Sequence, residues 1–214
     1  MFDRIAPVYD VMNTIMTAGL DRRWRTATVH ATVHPGDAVL DACCGTGDLA
    51  QAALRAGAAR VVGIDFSAAM IERAERKVPA ARFVSGDVLA LPFSNEEFDA
   101  AVVGFGARNV DSLEQALTEL RRVLKPDGRL GILEITRPRG TLAPFYGLWF
   151  DRVIPTLGRL LPGGAAYTYL PASVRRFPGP DELAQLLRDA GFDAVSFRLF
   201  AGGIVALHVG EAKT

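Results

Sequence analysis

The chain has 214 residues, half of them apolar and 22% charged, with 24 Lys plus Arg balancing 24 Asp plus Glu. That is enough chain for one α/β domain with a proper core, and short for two. A neutral balance supplies no long-range field toward a polyanion, so a nucleic-acid role would need a local basic patch.

Cys43 and Cys44 are the only cysteines and are neighbours. A disulfide wants Cα atoms ~4.4–6.8 Å apart, whereas adjacent residues lie ~3.8 Å apart. Both are therefore expected to be free thiols, which suits a reducing cytoplasm. Residues 1–10 carry Asp3, Arg4 and Asp10 without a long apolar run, and no stretch of ~18 apolar residues occurs. A cytoplasmic protein without a membrane span is expected.

From Pro35 onward short apolar runs alternate with helical patterns, the signature of βα units on a mostly parallel sheet. Ala38–Leu40 leads as a strand into Asp41 and a glycine loop, and Leu49–Ala56 reads as a helix ended by Gly57. Arg60–Ile64 is a second strand ending at Asp65, and Ser67 caps a helix reaching Lys77. Ala81–Val84 and Phe98–Val103 are the third and fourth strands, and Ser112–Leu124 is an amphipathic helix. Pro126-Asp127-Gly128 gives a tight turn into a fifth strand, Arg129–Ile135. An aromatic, Pro- and Gly-rich stretch from Thr141 reads as an inserted helical lid. A helix over Asp181–Ala190, bracketed by Pro180 and Gly191, precedes Ala194–Phe200 and Ile204–Val209. The short Ala201-Gly202-Gly203 link allows only an antiparallel hairpin. The expectation is one domain over residues 1–214, with seven mostly parallel strands and an antiparallel last strand. It divides into an N-terminal helical cap (1–34), a core (35–140), a lid (141–177), and the last helix and hairpin (178–214).

The run Val39-Leu40-Asp41-Ala42-Cys43-Cys44-Gly45-Thr46-Gly47-Asp48 carries the chemistry. In an open α/β sheet, ligands sit beyond the carboxyl ends of the strands near the switch in strand order. Gly45 and Gly47 let backbone approach a ligand closely. Asp65, 24 residues after Asp41, is placed to accept from both ribose hydroxyls. Asp87, closing the third strand, is placed to accept from an adenine amino group. Asp41, Gly45, Thr46, Gly47, Asp65, Phe66, Asp87, Val88 and Gly104 form the candidate pocket for a phosphate-free adenosine. The rival is a nicotinamide dinucleotide site, because Gly45-x-Gly47-x-x-Ala50 fits the loose fingerprint and Asp65 has the right spacing. Against it, Asp41 and Asp48 flank the loop where a pyrophosphate would lie, and no Tyr-x-x-x-Lys pair follows.

Several elements resemble the demethylmenaquinone methyltransferase and 2-methoxy-6-polyprenyl-benzoquinol methylase family over essentially the whole chain. They are Phe2-Asp3-Arg4-Ile5-Ala6, Tyr9-Asp10-Val11-Met12-Asn13, Gly45-Thr46-Gly47-Asp48, Ala90-Leu91-Pro92-Phe93 and Phe105-Gly106-Ala107-Arg108-Asn109. Arg122-Val123-Leu124-Lys125-Pro126, Tyr167-x-Tyr169-Leu170-x-x-Ser173-Val174-Arg175 and Val205-Ala206-Leu207-His208 complete the set. The resemblance implies a Rossmann-like class I methyltransferase fold and S-adenosyl-L-methionine as methyl donor, held by Thr46, Asp65 and the Asp87-Val88 pair. It implies C-methylation of a prenylated quinol, demethylmenaquinol in menaquinone biosynthesis or a benzoquinol in ubiquinone biosynthesis. The family often has glycines at Cys43 and Cys44, Ser at Gly104 and Asn at Asp87, so a hydroxyl contact at Gly104 is lost here.

A ring carbon becomes nucleophilic when an adjacent hydroxyl ionises, and a phenol of pKa ~10 needs help at neutral pH. Arg108 reads as the electrostatic partner of that oxygen, or as a cap on its own loop. Tyr9 and His208 are candidates to position the ring or relay its proton. His208, alternating with Leu207 and Val209, also reads as a satisfied structural histidine. No His, Cys and carboxylate cluster has metal-ligand spacing, so no metal is expected. The apolar run from Pro144 to Phe150, with Arg152, Arg159, Arg175 and Arg176 nearby, is expected to line a tail groove or touch a membrane surface peripherally. A homodimer stays open. The competing readings are another small-molecule methyltransferase, a nucleic-acid methyltransferase, and an inactive donor-binding module.

Overall fold

The computed structural model describes residues 17, 19–136 and 165–214, with backbone alone for 165–170. Residues 1–16, 18 and 137–164, which take in Tyr9 and much of the expected cap and lid, lie outside the described residues. Helix α1 (Asp21–Thr32) leads into β1 (Ala38–Ala42), α2 (Asp48–Arg55), β2 (Arg60–Asp65), α3 (Ala68–Lys77) and β3 (Arg82–Ser85). Then come β4 (Phe98–Gly104), a 3-10 turn (Ala107–Asn109), α4 (Leu113–Val123) and β5 (Leu124–Ile135). The chain closes with α5 (Ala165–Arg176), α6 (Pro180–Asp189), β6 (Phe192–Phe200) and β7 (Val205–Ala212).

The seven strands lie in the order β3-β2-β1-β4-β5-β7-β6. The first five pair in parallel, and β7 runs antiparallel to both β5 and β6, as the hairpin reading requires. Order reverses between β1 and β4, which opens a crevice at their carboxyl ends.

Alternation along the central strands builds two cores. Leu40, Ile64, Phe98, Ile132, Leu183 and Leu187 fill one face, where α4 and α6 also contribute. Val39, Leu49, Ala53, Val61, Ile71 and Val102 fill the other, which α1, α2 and α3 cover. Continuous apolar strands are what two covered faces demand. Ser67 caps α3 by accepting from the Met70 N–H, and Ser112 caps α4 by accepting from Gln115. Gly191 ends α6 at φ 91°.

Several boundaries differ from the sequence reading, β7 for one running to Ala212 rather than Val209, and two of the shifts come from bulges. Strand β5 begins at Leu124 rather than Arg129, because Pro126-Asp127-Gly128 forms a bulge within it. Phe98 pairs Leu124 and Ala100 already pairs Arg129, with Asp127 at φ 59° absorbing the extra residues. Strand β6 similarly begins at Phe192, with a bulge between Asp193 and Ser196 where Ala194 sits at φ 48°.

Candidate functional site

The glycine loop leaves β1 through Cys43, whose φ of 55° is unusual for a residue with a side chain. Its neighbour across the crevice must then be small. A Cβ on Gly106, just after β4, would come within 2.4 Å of the Cys43 Cβ. Gly45 at φ 53° and Gly47 at φ 82° complete the turn into α2. Asp65 ties this loop to the next element, accepting from the Gly45 N–H at 2.8 Å and the Ser67 N–H at 3.0 Å. Asp87 accepts from the Leu89 N–H at 2.9 Å, a local turn that orients its carboxylate.

These groups border a cavity of about 360 Å³ at the β1–β4 switch, within the usual size of small-molecule sites. Gly45, Asp65, Phe66, Asp87, Val88 and Gly104, all predicted, line it. Ile64, Met70, Leu89 and Val110 add apolar walls, and Cys43, Phe105, Gly106, Asn109 and Asp111 complete it. Among the described lining residues there are three carboxylates and no cation. Sequence reasoning missed Met70 and the Asn109–Asp111 loop. The first-turn position of Met70 on the helix after Asp65 was the available signal, as was the placement of Asn109 beyond the β4 tip.

Three predicted donor residues, Asp41, Thr46 and Gly47, do not line this cavity. Asp41, only 1% exposed, accepts from the Ala50 N–H at 2.8 Å inside α2. Burial pushes its carboxyl up to about 8, against the Ala50 hydrogen bond and the Arg25 charge, with Asp48 and Asp65 adding to the rise. Thr46 accepts from the Lys77 ammonium at 3.3 Å, and Lys77 also pairs with Asp48 at 2.6 Å. Burial would raise Asp48, but Arg25, Lys77 and Arg22 outweigh it and hold that carboxyl below its ordinary value. Gly47 is packed against Phe83, whose Cζ would lie 3.1 Å from an added Cβ. Burial pushes both cysteine thiols upward, so they stay protonated, and both are free.

Arg108 is pinned. Its Nη1 donates to Glu134 Oε1 and to the Phe105 carbonyl, each at 2.6 Å, and its backbone N–H donates to Glu134 Oε2 at 3.1 Å. It lines a second, open cavity of about 520 Å³ that shares Asn109, Val110 and Asp111 with the first. The loop-capping reading of Arg108 is therefore realised in the structure.

Of the two readings of His208, the geometry favours the structural one. The residue is 1% exposed, and its Nε2 meets the Pro180 carbonyl at 2.9 Å beneath the start of α6. It pairs Ile132, below the strand tip where Ile135 pairs Val205, and it lines neither cavity. Burial lowers its pKa despite the Pro180 carbonyl and Asp181. A buried neutral ring that donates to the Pro180 carbonyl is what a satisfied structural histidine requires. Among the described residues, no group of three or more His, Cys, Asp or Glu is arranged to hold a metal ion, and no helix is long and apolar enough to cross a membrane.

The chain is similar to known proteins. The chain is 46% identical to a demethylmenaquinone methyltransferase of Roseiflexus castenholzii, covering 98% of this chain and 91% of the relative. It is 44% identical to one of Thermus thermophilus, covering 99% of both. A solved S-adenosylmethionine-dependent methyltransferase from Thermotoga maritima superposes with a TM-score of 0.71 at 22% identity, over 99% of this chain and 98% of that one. That likeness establishes the class I methyltransferase fold. The model of the ubiE/COQ5 methyltransferase family matches residues 1–212, and the chain belongs to that family.

Proposed function

We propose that the chain is an S-adenosylmethionine-dependent C-methyltransferase that converts a demethylmenaquinol into the menaquinol. The observation that carries the donor half is the charge of the switch-point cavity. Asp65, Asp87 and Asp111 line it. A sulfonium adenosine is cationic and carries no phosphate, so this field attracts it. A dinucleotide would bring a doubly charged pyrophosphate against the same carboxylates.

Asp65 takes the ribose hydroxyls, its plane fixed by the Gly45 and Ser67 N–H groups. Asp87 takes the adenine amino group, and Phe66, Val88, Met70 and Val110 supply apolar surface for the base. Gly104 lines the cavity at the strand tip and lets Leu49 pack beneath it, since an added Cβ would come 2.7 Å from the Leu49 side chain. Asp41 holds the loop from behind through the Ala50 N–H, and Thr46 and Gly47 belong to the loop itself. When bound, the donor supplies an electrophilic methyl group on sulfur. The acceptor's ring carbon forms the new C–C bond as the S–C bond breaks, and the ring proton is then lost. The residues contribute alignment, an effect that reaches ~7–11 kcal/mol in well-ordered reactions. Arg108, held by Glu134 and the Phe105 carbonyl, lines the second cavity, and from there its charge would stabilise the acceptor's ionised oxygen.

The acceptor half rests on the family and on the relatives named demethylmenaquinone methyltransferase. A prenylated acceptor resides in lipid, so transient contact with a membrane surface belongs to the same proposal. The test is transfer of a tritiated methyl group to demethylmenaquinone in its reduced and oxidised forms, beside a prenylated benzoquinol. Transfer to the reduced naphthoquinone alone is expected. Equal labelling of both redox forms rejects activation by an ionised hydroxyl, and preference for the benzoquinol reassigns the acceptor.

A further inference from the structure

Arg25 is a cation buried to 8% exposure on α1, and none of the site assignments uses it. Its Nη1 pairs with Asp21 one turn earlier on the same helix. Its Nη2 lies 3.5 Å from Asp48 Oδ2 at the first turn of α2, and its Cζ lies 5.4 Å from the ring centre of Phe105. One guanidinium therefore touches the helix preceding the sheet, the helix that the glycine loop opens, and the tip of β4. A pair serving burial alone would need only Asp21. The additional contacts fall on the two elements whose ends carry Gly45 and Phe105, both in the cavity wall.

Phe105 sharpens the point. Its φ of 60° is a strained conformation for a residue with a side chain, and such residues persist only where neighbours over-determine them. Here the Leu133 carbonyl accepts its N–H at 2.8 Å, Arg108 holds its carbonyl, and Arg25 stacks on its ring. Cation–ring contacts strengthen when desolvated, as this one is.

We propose that Arg25 is a positioning residue for the methyl donor, clamping the α2 terminus through Asp48 and the β4 tip through Phe105, so that the seating of α1 and the binding of the donor are coupled. This rests on reading the switch-point cavity as the donor site. Coupling of this kind is reciprocal: if a seated α1 tightens the donor site, bound donor must tighten α1.

The test combines calorimetry with hydrogen exchange on the full chain, using S-adenosylmethionine. In the wild type, saturating donor should slow amide exchange in residues 26–32 about tenfold. Arg25→Met keeps much of the stem packing and removes the charge, and should weaken donor binding about tenfold, with Arg25→Lys in between. Unchanged donor affinity in Arg25→Met, with only a lowered melting temperature, makes the residue merely structural and overturns the proposal. If that variant does not fold, the wild-type exchange decides: donor binding without added protection in α1 is equally fatal. Failure of the wild type to bind donor at all would instead reject the cavity reading and the clamp together.

Discussion

Each oxygen of Asp65 already accepts a backbone N–H, at 2.8 Å from Gly45 and 3.0 Å from Ser67, so the carboxylate is fixed before any ligand arrives. Hydrogen bonds to a charged group contribute ~1.5–3 kcal/mol each. Asp65→Ala, which loses two such bonds to the ribose and the loop tie as well, should weaken donor binding at least ~100-fold. Calorimetry that finds affinity retained removes Asp65 from the ribose contact. His208 makes a different statement, about pH. Its folded-state pKa is depressed because burial disfavours the charged ring, while the unfolded value stays near ~6.5. Below ~6.5 the unfolded chain takes up a proton that the folded chain refuses. The contribution of His208 is thus complete above that pH and is lost as pH falls toward the lowered folded value. His208→Gln preserves a donor near the Pro180 carbonyl and cannot titrate. Urea unfolding at pH 7.5 and 5.5 should show the wild type losing more stability than this variant, by up to ~1.4 kcal/mol per unit of pKa difference. Equal losses would show that the ring does not resist protonation.

At the scale of elements, the loop after β4 depends on an ion pair between Arg108, with its side chain 11% exposed, and Glu134, 1% exposed. Breaking a buried pair from one side leaves an uncompensated charge and costs ~3–5 kcal/mol, whereas replacing both partners by apolar groups costs far less. Arg108→Met alone should therefore destabilise strongly and lower turnover while sparing donor affinity. Adding Glu134→Met should restore part of the stability without restoring turnover. Glu134 also accepts from the Arg108 and Ile135 N–H groups, so the recovery should be incomplete. Full recovery of turnover in the double variant would confine Arg108 to a structural role. The same elements show what sequence alone makes legible. β1, β2 and β4 are plain in the sequence because their apolar runs end in Asp or Gly, and α2, α3, α4 and α6 because their caps and stripes agree. Helix α1 falls within the helical cap expected over residues 1–34, but its bounds are not legible, since its buried face is Asp21, Trp24, Arg25, Thr28, Val29 and Thr32, a stripe too polar for apolar periodicity to mark. That polarity has local causes: Thr32 fits against Gly131, where a Cβ would lie 2.2 Å from its hydroxyl oxygen, and Arg25 answers Asp21 and Asp48. Proximity to motifs marks Asp41 and His208 as site candidates, but a side chain's face is set by strand register, which turns both inward.

Across the whole molecule, net charge is zero, so the preference for a cationic donor arises locally, from how the strand order gathers carboxyl ends. β2 and β3 lie to one side of β1, and β4 to the other. Asp65, Asp87 and Asp111 follow from three different strand ends and meet only because the sheet is wound in this order. The glycine fingerprint is common to dinucleotide sites, and charge is what separates the two. A ligand that binds only the folded state stabilises it by about 2.7 kcal/mol when present at 100 times its dissociation constant. For a chain of this size that should raise the melting temperature by ~5–10 °C at most, and by ~2–4 °C for each kcal/mol gained. S-adenosylmethionine and S-adenosylhomocysteine should both produce such a shift, with the sulfonium compound favoured at low ionic strength because the carboxylates act on its extra charge. NAD at the same concentration should produce none. A melting shift with NAD equal to that with S-adenosylmethionine would mean that the three carboxylates do not set the specificity of the cavity, and the assignment of its ligand would fall with them.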